Sequence, residues 1–240
     1  MAKKELKLHA VVSPTETVVV SAYDKNGKAE ACTLAFYMVS SHIPPCVTIA
    51  INATQRRKTL SAMLESKAFV LGIPSTDQVK EADYLGVESG YNTDKIMNIG
   101  YTTTKAKTVH APVINELPLS LECEIVHTVT VGSHMQVTGE VKRILAEESI
   151  LNEKGRIDLA RLRPIIYDEE QVQYLSVGEK VADAFRTGME LKKSFDRNGL
   201  HEADKCIPDE AILPDGTDVT DLVHTAEEFL NQNSFFQYEF

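Results

Sequence analysis

The clearest secondary-structure pattern of this chain lies in residues 117–144, LPLSLECEIVHTVTVGSHMQVTGEVKRI. Apolar and polar side chains alternate on both sides of the turn Gly132-Ser133, so the pattern predicts two antiparallel strands. The first strand is expected to bury Leu117, Leu119, Leu121, Cys123, Ile125, Val129 and Val131, and to direct Ser120, Glu122, Glu124, Thr128 and Thr130 to the opposite face. The second strand is expected to bury Met135, Val137, Val141 and Ile144.

Shorter strands are predicted on the N-terminal side of this hairpin. Residues 18–20 begin a strand that runs into Asp24-Lys25-Asn26-Gly27, a strong signal for a tight hairpin turn. The apolar run at residues 46–51 follows Pro44-Pro45 and predicts a strand that is buried on both faces. Further strands are predicted at residues 31–37 and 68–73.

Few helices are predicted, and they do not alternate with the strands. Residues 75–115 are irregular, residues 164–174 have an extended pattern, and residues 179–193 have a helical one with Val181, Ala184, Phe185 and Gly188 on one side. There is no Gly-x-Gly-x-x-Gly segment and no Walker loop, which argues against a dinucleotide-binding parallel sheet. The sequence therefore predicts a mainly β protein, a closed or nearly closed antiparallel barrel with Greek-key-like connections.

The charge distribution divides the chain in two. The 240 residues are 43% apolar and carry a net charge of −10, and residues 197–240 contain two basic and ten acidic side chains. We expect a barrel domain at residues 1–196 and an acidic extension at residues 197–240. The extension contains one amphipathic helix, with Val219, Leu222, Val223, Ala226, Phe229 and Leu230 on its apolar face.

The composition also narrows the partners and the location. No segment has the roughly 20 consecutive apolar residues of a membrane span, and the charged N-terminus does not resemble a signal peptide. Four scattered cysteines and seven histidines show no metal-ligand spacing. No basic stripe suggests nucleic acid as a partner. We expect a cytoplasmic protein without a metal centre.

One segment has an unusual charge for its position. Gln55-Arg56-Arg57-Lys58-Thr59 opens a predicted helix on which Leu60, Met63, Leu64 and Ala68 form the apolar side. A helix N-terminus carries a partial positive charge, so consecutive cations are unfavourable there unless an anion lies among them. Free backbone N–H groups, guanidinium groups and a threonine hydroxyl suit a phosphate group. The alternative is a solvated basic patch.

The order of several motifs resembles one known family. Residues 30–36, EACTLAF, are followed by residues 39–45, VSSHIPP, by the basic segment, and by His134 with Gly139-Glu140-Val141. This order is similar to that of the flavoredoxin group of the flavin-reductase-like family, and the resemblance covers residues 12–193. It implies a split β-barrel that binds FMN. Glu30 and His42 depart from the Asn and Asp that are usual there.

The resemblance implies roles for particular residues. Arg57, Lys58, Thr59 and the helix N-terminus would hold the phosphate, and Lys95 would add charge. Backbone N–H groups of Thr33-Leu34-Ala35 and Ser40-Ser41 would contact the flavin ring, with Asn52 at the ribityl chain or ring edge. Alternatives remain for two of these: Thr33 to Ala35 could be ordinary strand residues, and Lys95 a surface lysine.

His134 is the expected catalytic residue. By resemblance it would lie over the flavin, where it could steer the hydride donor or stabilise the anionic reduced flavin. The alternative is a solvated turn histidine. Cys32 lies beside the expected flavin site, and a packed thiol is the favoured interpretation because no second cysteine is near it in sequence.

The resemblance implies an oxidoreductase. The expected activity is reduction of tightly bound FMN by NADH or NADPH, with hydride transfer to flavin N5 and electrons passing to free flavin or a protein acceptor. A homodimer is expected because the flavin lies at or near the subunit interface in this family. Two alternatives stay open: an FMN electron-transfer module without its own nicotinamide site, and a non-redox barrel that binds another phosphorylated ligand.

Overall fold

The computed structural model describes residues 3–5, 14–184 and 186–196. By its internal contacts the chain separates into two units, residues 1–178 and residues 179–240. The predicted amphipathic helix of the acidic extension and the predicted apolar residue Phe185 lie outside the described residues. In the part of the chain that the structure describes, no helix is long and apolar enough to cross a membrane.

The first unit is built mainly of antiparallel strands. Its described strands are β1 (Thr15–Glu16), β2 (Val18–Tyr23), β3 (Ala29–Leu34), β4 (Tyr37–His42), β5 (Pro45–Asn52), β6 (Ala68–Ile73), β7 (Thr103–Lys105), β8 (Pro112–Ile114), β9 (Leu119–Val131), β10 (His134–Ala146), β11 (Ile165–Asp168) and β12 (Gln173–Ser176). Seven of them form one sheet in the order β3-β2-β6-β9-β10-β5-β4. Strands β1, β11 and β12 form a second sheet, and β7 pairs with β8. The predicted mainly β, antiparallel architecture is confirmed.

The helices are short and lie between the strands. They are α1 (Lys58–Ser66), α2 (Val79–Val87), α3 (Lys95–Asn98), α4 (Leu159–Leu162) and, in the second unit, α5 (Met189–Asp196). Single 3₁₀ turns occur at Thr76–Gln78 and Glu148–Ile150. The stretch at residues 75–115, expected to be less regular, contains α2, α3, β7 and β8, joined by loops. The apolar positions of α2 are too few to give a clear helical pattern.

The largest hydrophobic cluster packs against one face of the seven-stranded sheet. Fully buried residues include Ile49 on β5, Met63 on α1, Phe69 on β6 and Val137 on β10. Gly139 is required beside Phe69, because a Cβ at residue 139 would lie 2.6 Å from the phenylalanine ring. Glycine is needed where a strand packs closely against an aromatic ring, because a side chain at that position would collide with the ring.

The long hairpin is confirmed, but its faces differ from the prediction. Val126 on β9 has no partner: His127 pairs with Thr138, and Ile125 pairs with Gly139. This β-bulge inserts one extra residue and reverses the alternation beyond it. Val129 and Val131 consequently lie on the outer face, 42% and 56% exposed, where the simple alternation predicted a buried face. The predicted face also included Leu117, which precedes the strand, and Ile144, which is 57% exposed.

The expected polar face of β9 is not solvated throughout. Ser120 and Glu122 are buried, at 2% and 0% exposure. The side chain of Glu122 accepts hydrogen bonds from the N–H and hydroxyl of Thr108 and pairs with Arg143 at 2.9 Å. The segment before β8 therefore covers this face, which periodicity within β9 could not reveal.

Other boundaries also shift. The alternating burial of β5 shows one buried face and one half-buried face, so the prediction of burial on both faces is wrong. Helix α1 begins at Lys58 with Arg57 as its N-cap; Leu64 is 40% exposed, and Ala68 belongs to β6. These two residues do not belong to a buried helix face.

The last predicted elements also differ in detail. The extended segment at residues 164–174 is a hairpin of β11 and β12. The helix predicted over residues 179–193 begins only at Met189, and Val181 is 99% exposed. Strands β2 and β6 agree with the prediction, and the Asp24–Gly27 turn connects β2 to β3 as expected.

Candidate functional site

A polar cavity lies at the N-terminus of α1. It has a volume of about 400 Å³ and is called the basic cavity here; its lining residues are Cys32, Gln55, Arg56, Arg57, Lys58, Thr59, Gly86, Val87, Glu88, Ser89, Gly90 and Lys95. Four predicted phosphate residues, Arg57, Lys58, Thr59 and Lys95, are thus brought together although Lys95 is distant from the others in sequence. The lining set has four basic side chains and one acidic one.

The N-terminus of α1 is free to accept an anion. Arg57 is in the N-cap position without a side-chain capping bond, and the first turn contains no acidic residue. The N–H groups of Leu60 and Ser61 donate to the carbonyl of Arg57. The preceding N–H groups, of Lys58 and Thr59, cannot bond within the helix, because the first N–H groups of a helix have no carbonyl ahead of them. An anion bound here would accept from them.

Lys95 is buried in the wall of the basic cavity without an acidic partner. Its side chain is 5% exposed, and Nζ donates to the carbonyl of Leu85 over 2.7 Å. Burial lowers the pKa of this ammonium group and outweighs the charges of Glu30 and Glu88, which raise it without being in salt-bridge contact. Within the described residues, no salt bridge involves Lys95 or Arg57. A buried cation in this state is stabilised by an anion.

The other cations of the cavity are already engaged. Lys58 Nζ lies 2.6 Å from Glu30 Oε1 and 3.7 Å from Asp24 Oδ2, and the hydrogen bond with Glu30 raises its pKa. Arg56 lies over the ring of Tyr91, 5.3 Å from its centre. Arg57 donates to the carbonyl of Gly86 and to Gln55 Oε1, which leaves part of its guanidinium available. The four cations therefore differ in how available they are to a ligand, a difference that the sequence alone does not indicate.

Cys32 and Thr59 form the floor between the cavity and the core. Both are buried, at 2% and 3% exposure. Burial raises the pKa of the Cys32 thiol, which outweighs the lowering by Lys95 and by a hydrogen bond with Thr59. A buried neutral thiol is a poor nucleophile. This environment agrees with the interpretation of Cys32 as a packed residue.

A second cavity adjoins the first. It has a volume of about 340 Å³ and is called the tyrosine cavity here; its lining residues are Thr17, Thr33, Leu34, Ala35, Asp83, Gly86, Val87, Tyr167, Val172 and Tyr174. The two cavities share Gly86 and Val87, at the C-terminal end of α2. The predicted ring-contacting segment Thr33-Leu34-Ala35 lines the tyrosine cavity.

The tyrosine cavity has a defined polar side. The hydroxyl of Tyr174 donates to Asp83 Oδ1 over 2.8 Å, and the rings of Tyr167 and Tyr174 are 5.9 Å apart. Burial raises the pKa of Tyr174, and the bond to Asp83 raises it further. Thr17 is 1% exposed, and its hydroxyl has no hydrogen-bond partner among the residues that the structure describes. A buried hydroxyl without a hydrogen-bond partner is energetically unfavourable. A ligand atom that formed a hydrogen bond with it would therefore bind more tightly.

His134 and Asn52 lie side by side on neighbouring strands. They are paired in the register of β10 and β5. The ring of His134 is 5.6 Å from that of Phe36, and its Nδ1 is 2.9 Å from the hydroxyl of Ser133. Asn52 Oδ1 accepts from the N–H groups of Thr54 and Gln55, so this side chain shapes the loop that leads to the basic cavity. Neither residue lines the two cavities, although both adjoin segments that do.

Ser40 and Ser41 are further from the cavities. Both lie on β4, where the register shifts between Val39 and Ser41, and the hydroxyl of Ser41 accepts from the N–H of Ile43 over 3.1 Å. Neither serine is in the lining of the basic cavity or the tyrosine cavity. The structure therefore does not bring them together with the other predicted ring-contacting residues.

The outer face that carries His134 has almost no charge. Directly paired residues of antiparallel strands share a face, so the pairing of β4, β5, β10 and β9 places one set of side chains on this face. The set is Met38, Thr48, Ala50, Asn52, His127, Val129, Val131, His134, Gln136 and Thr138. None of these ten is Asp, Glu, Lys or Arg, but the same pairing continues on this face to Cys46, Glu140 and Glu124, so charged side chains border the set at one end. We call this surface the outer face.

Several lining residues carry no sequence signal. Thr17, Tyr167 and Tyr174 meet only because the hairpin of β11 and β12 packs beside β1 and β3, a long-range contact that no local pattern records. Gly86 and Gly90, the latter next to Ser89, could in principle be identified from the sequence. A glycine in an otherwise ordered stretch indicates close approach of the backbone. A Cβ at Gly90 would lie 2.5 Å from Glu30 Oε2.

Comparison with known proteins agrees with this arrangement. The family model described as "Flavin reductase like domain" matches residues 11–176. The chain belongs to the flavin reductase-like family. Its fold matches that of flavoredoxin of Desulfovibrio vulgaris (Miyazaki F), with a TM-score of 0.73 and 30% identity, over 78% of this chain and 100% of that one.

Two further structures extend the comparison. Flavoredoxin from Methanosarcina acetivorans has a TM-score of 0.74 and 26% identity, covering 80% of this chain and 100% of that chain. An FMN-binding protein from Thermus thermophilus has a TM-score of 0.63 and 20% identity, covering 75% and 99%, which shows the fold alone. The split barrel expected from the sequence is thereby confirmed, as is membership of the flavin reductase-like family.

Proposed function

We propose that this protein is an FMN-binding oxidoreductase of the flavin reductase and flavoredoxin type. The observation that carries the proposal is Lys95: a buried ammonium group without an acidic partner, in a cavity that also contains an uncapped helix N-terminus. A phosphate dianion has the charge and the acceptor atoms that this set of donors lacks. The membership in a flavin-binding family indicates which phosphate compound to test first.

The residues fit FMN in two parts. Arg57, Lys95, Thr59 and the first N–H groups of α1 would hold the phosphate in the basic cavity. The segment Thr33-Leu34-Ala35 would provide backbone contacts in the tyrosine cavity, with Thr17 and Tyr174 opposite. When bound, FMN supplies the two-electron redox chemistry, with NADH or NADPH as donor and free flavin or a protein as acceptor.

The protein's own contribution is binding, orientation and electrostatics. Buried Lys95 favours a negatively charged ligand, because its interaction with the ligand is strong where water is excluded. His134 would be a proton or charge partner at the edge of the site, held by Ser133 through Nδ1. For Ser40 and Ser41, which lie outside both cavities, backbone contact with the flavin ring stays a prediction.

We also propose that two copies associate through the outer face. An exposed four-stranded surface whose charged side chains are confined to one end is unusual for a chain in which 25% of the residues are charged. Because the outer face carries His134 and Asn52, association there would bring the second copy next to the site. The proposed location is cytoplasmic, and residues 197–240 are proposed as a separate acidic extension.

The test is a visible absorbance spectrum of the purified protein mixed with FMN, before and after anaerobic addition of NADH and then NADPH. The expected result is a bound flavin spectrum that bleaches. A bound flavin that no nicotinamide nucleotide reduces would favour the electron-transfer module. A protein that binds no FMN would contradict the proposal and favour a different phosphorylated ligand.

A variant ties this test to the basic cavity. Lys95→Met should raise the FMN dissociation constant roughly 10- to 100-fold, because a hydrogen bond to a charged group contributes about 1.5–3 kcal/mol. The control is Lys105→Met, which removes an exposed lysine on β7 outside both cavities. Equal affinities for the two variants would show that Lys95 does not bind the ligand.

A further inference from the structure

Glu30 is a buried acidic residue beside the basic cavity. It lies on β3, its side chain is 4% exposed, and Oε1 accepts from Lys58 Nζ over 2.6 Å. Asp24 supports the same lysine at 3.7 Å and is itself fixed, because Oδ1 accepts from the N–H groups of Asn26 and Lys28. The ammonium group of Lys58 is therefore held by two carboxylates.

The position of the Glu30 carboxylate depends on Gly90. A Cβ at residue 90 would lie 2.5 Å from Glu30 Oε2 and 3.6 Å from Lys58 Cβ. A side chain at residue 90 would displace the carboxylate of Glu30, whereas the distance to Lys58 is that of an ordinary contact. Gly90 also lines the basic cavity, so the ion pair lies directly behind the cavity wall.

This arrangement divides the cations of the basic cavity into two kinds. Lys58 is neutralised, because a buried carboxylate that lost its partner would be strongly unfavourable. Lys95 and Arg57 have no acidic partner among the residues that the structure describes. The pair of carboxylates thus neutralises one of the four lysine and arginine charges that line the basic cavity.

We infer that Glu30 sets the affinity of the basic cavity for phosphate by withholding Lys58 from the ligand. The inference rests on the proposed function for the identity of the ligand. In this arrangement a phosphate monoester is bound by Arg57, Lys95 and the N-terminus of α1, and Lys58 serves to neutralise Glu30. Glu30 is then a positioning residue, acting through Lys58, and it weakens binding of the anion.

The test compares Glu30→Gln with the wild type in the full chain. Glutamine has the same shape and can still accept from Lys58, while the negative charge is removed. The dissociation constant of FMN should fall about five- to tenfold, the effect expected when one charge near an anion is removed at intermediate dielectric. The affinity for riboflavin, which lacks the phosphate, should not change.

Two controls separate the possible causes. Asp77→Asn removes an exposed acid that pairs with Arg163 away from the basic cavity, and it should leave both affinities unchanged. Adding Lys58→Met to Glu30→Gln should return FMN affinity to near the wild-type value, because the gain comes from the Lys58 charge that Glu30 no longer neutralises. A gain that survives in the double variant would overturn the inference, as would equal gains for FMN and riboflavin.

Failure of the inference differs from failure of the proposed function. A wild-type protein that binds neither FMN nor riboflavin would refute the proposed function. Inorganic phosphate then serves as the probe, and the shift in Tm that it causes should be larger for Glu30→Gln than for the wild type. Equal shifts would refute the role of Glu30 whatever the natural ligand is.

Discussion

Lys58 and Lys95 line the same cavity in opposite electrostatic situations. The pKa of Lys58 is raised, chiefly by its hydrogen bond with Glu30, whereas burial lowers the pKa of Lys95. Of these two lysines, only Lys95 lacks a carboxylate in salt-bridge contact among the described residues. At the scale of single residues, the charge available to a ligand is therefore decided by neighbours rather than by the number of lysines.

Thr17 provides a residue-scale prediction. Replacing it by valine removes a buried hydroxyl that has no partner, so the flavin-free protein should be unchanged or slightly more stable. If the hydroxyl contacts the bound ligand in the tyrosine cavity, the same change should weaken FMN binding by about 1 kcal/mol. The measurements are urea unfolding of the flavin-free protein and FMN titration.

The matched control is Thr76→Val. The hydroxyl of Thr76 is also buried without a partner, but Thr76 does not line the tyrosine cavity. It should affect stability in the same direction and leave FMN affinity unchanged. Unaltered FMN binding in Thr17→Val would show that this hydroxyl has no part in the site.

Single residues were predictable where local charge or a motif marked them. Arg57 and Thr59 stood out because cations at a helix N-terminus are unfavourable without an anion, and both line the basic cavity. The commitment of Lys58 to Glu30 was not predictable, because it depends on a contact between residues 28 positions apart. The roles of all these residues in ligand binding stay predictions.

Strand β9 shows how one element combines packing with a buried charge. Glu122 joins β9 to the segment before β8 through Thr108 and to β10 through Arg143. Burial alone would raise the pKa of this carboxyl, but hydrogen bonds from Thr108, Lys107 and Arg143 outweigh it and hold the pKa below the ordinary 4.5. The carboxylate is therefore stabilised in its charged form.

A pH dependence of stability follows from that direction. Below pH 4.5 the unfolded chain binds a proton at residue 122 before the folded protein does, so the free energy of unfolding should decrease as pH falls through this range. Glu122→Gln should cost about 2–4 kcal/mol at neutral pH, because it breaks a buried pair. It should also flatten the acid dependence, as measured by urea unfolding at several pH values.

The control for Glu122 lies on the same strand. Glu124 is 57% exposed at its side chain and pairs with Lys142 at the surface. Glu124→Gln should change the free energy of unfolding by less than about 1 kcal/mol, as is usual for exposed pairs. Similar losses for the two variants would mean that burial of Glu122 does not determine its contribution.

Secondary-structure elements were predictable where a regular apolar pattern persists along the chain. Strands β2 and β6 follow from their apolar runs, and the hairpin turn follows from Asp24 to Gly27. The faces of β9 beyond Val126 were not predictable, because a bulge depends on how the partner strand is paired. The helix α2 was missed because its burial against β3 is a tertiary contact.

The whole molecule presents one surface whose composition sets it apart. On the outer face, Met38, Val129 and Val131 are 59%, 42% and 56% exposed, and no charged side chain interrupts them. The surface ends at the charged group of Glu124, Glu140 and Lys142, where salt bridges measure 2.8 and 3.3 Å. An uncharged centre with a charged border is typical of an interface between proteins.

A substitution tests the proposed homodimer. Val129→Lys should convert a dimer to a monomer, because association would bury an ammonium group without a partner. Size-exclusion chromatography with light scattering measures the mass directly. Leu159→Lys is the control: Leu159 is 54% exposed on α4, away from the outer face.

The outcomes for the two lysine variants are distinct. A wild-type monomer at micromolar concentration would contradict the proposal. A dimer that persists in Val129→Lys would place the interface elsewhere. The general architecture was predictable from strand spacing and turns, but this surface was not, because it requires the register of four strands at once.

The bulge at Val126 has a consequence for how this sequence can change in length. A strand normally tolerates no insertion or deletion, since one residue more or less exchanges its inner and outer side chains. In β9 the extra residue, Val126, lies outside the ladder of paired residues. A shorter strand without it would therefore keep the same side chains on its inner and outer faces. Among homologous sequences, length differences within β9 are expected to fall at this point.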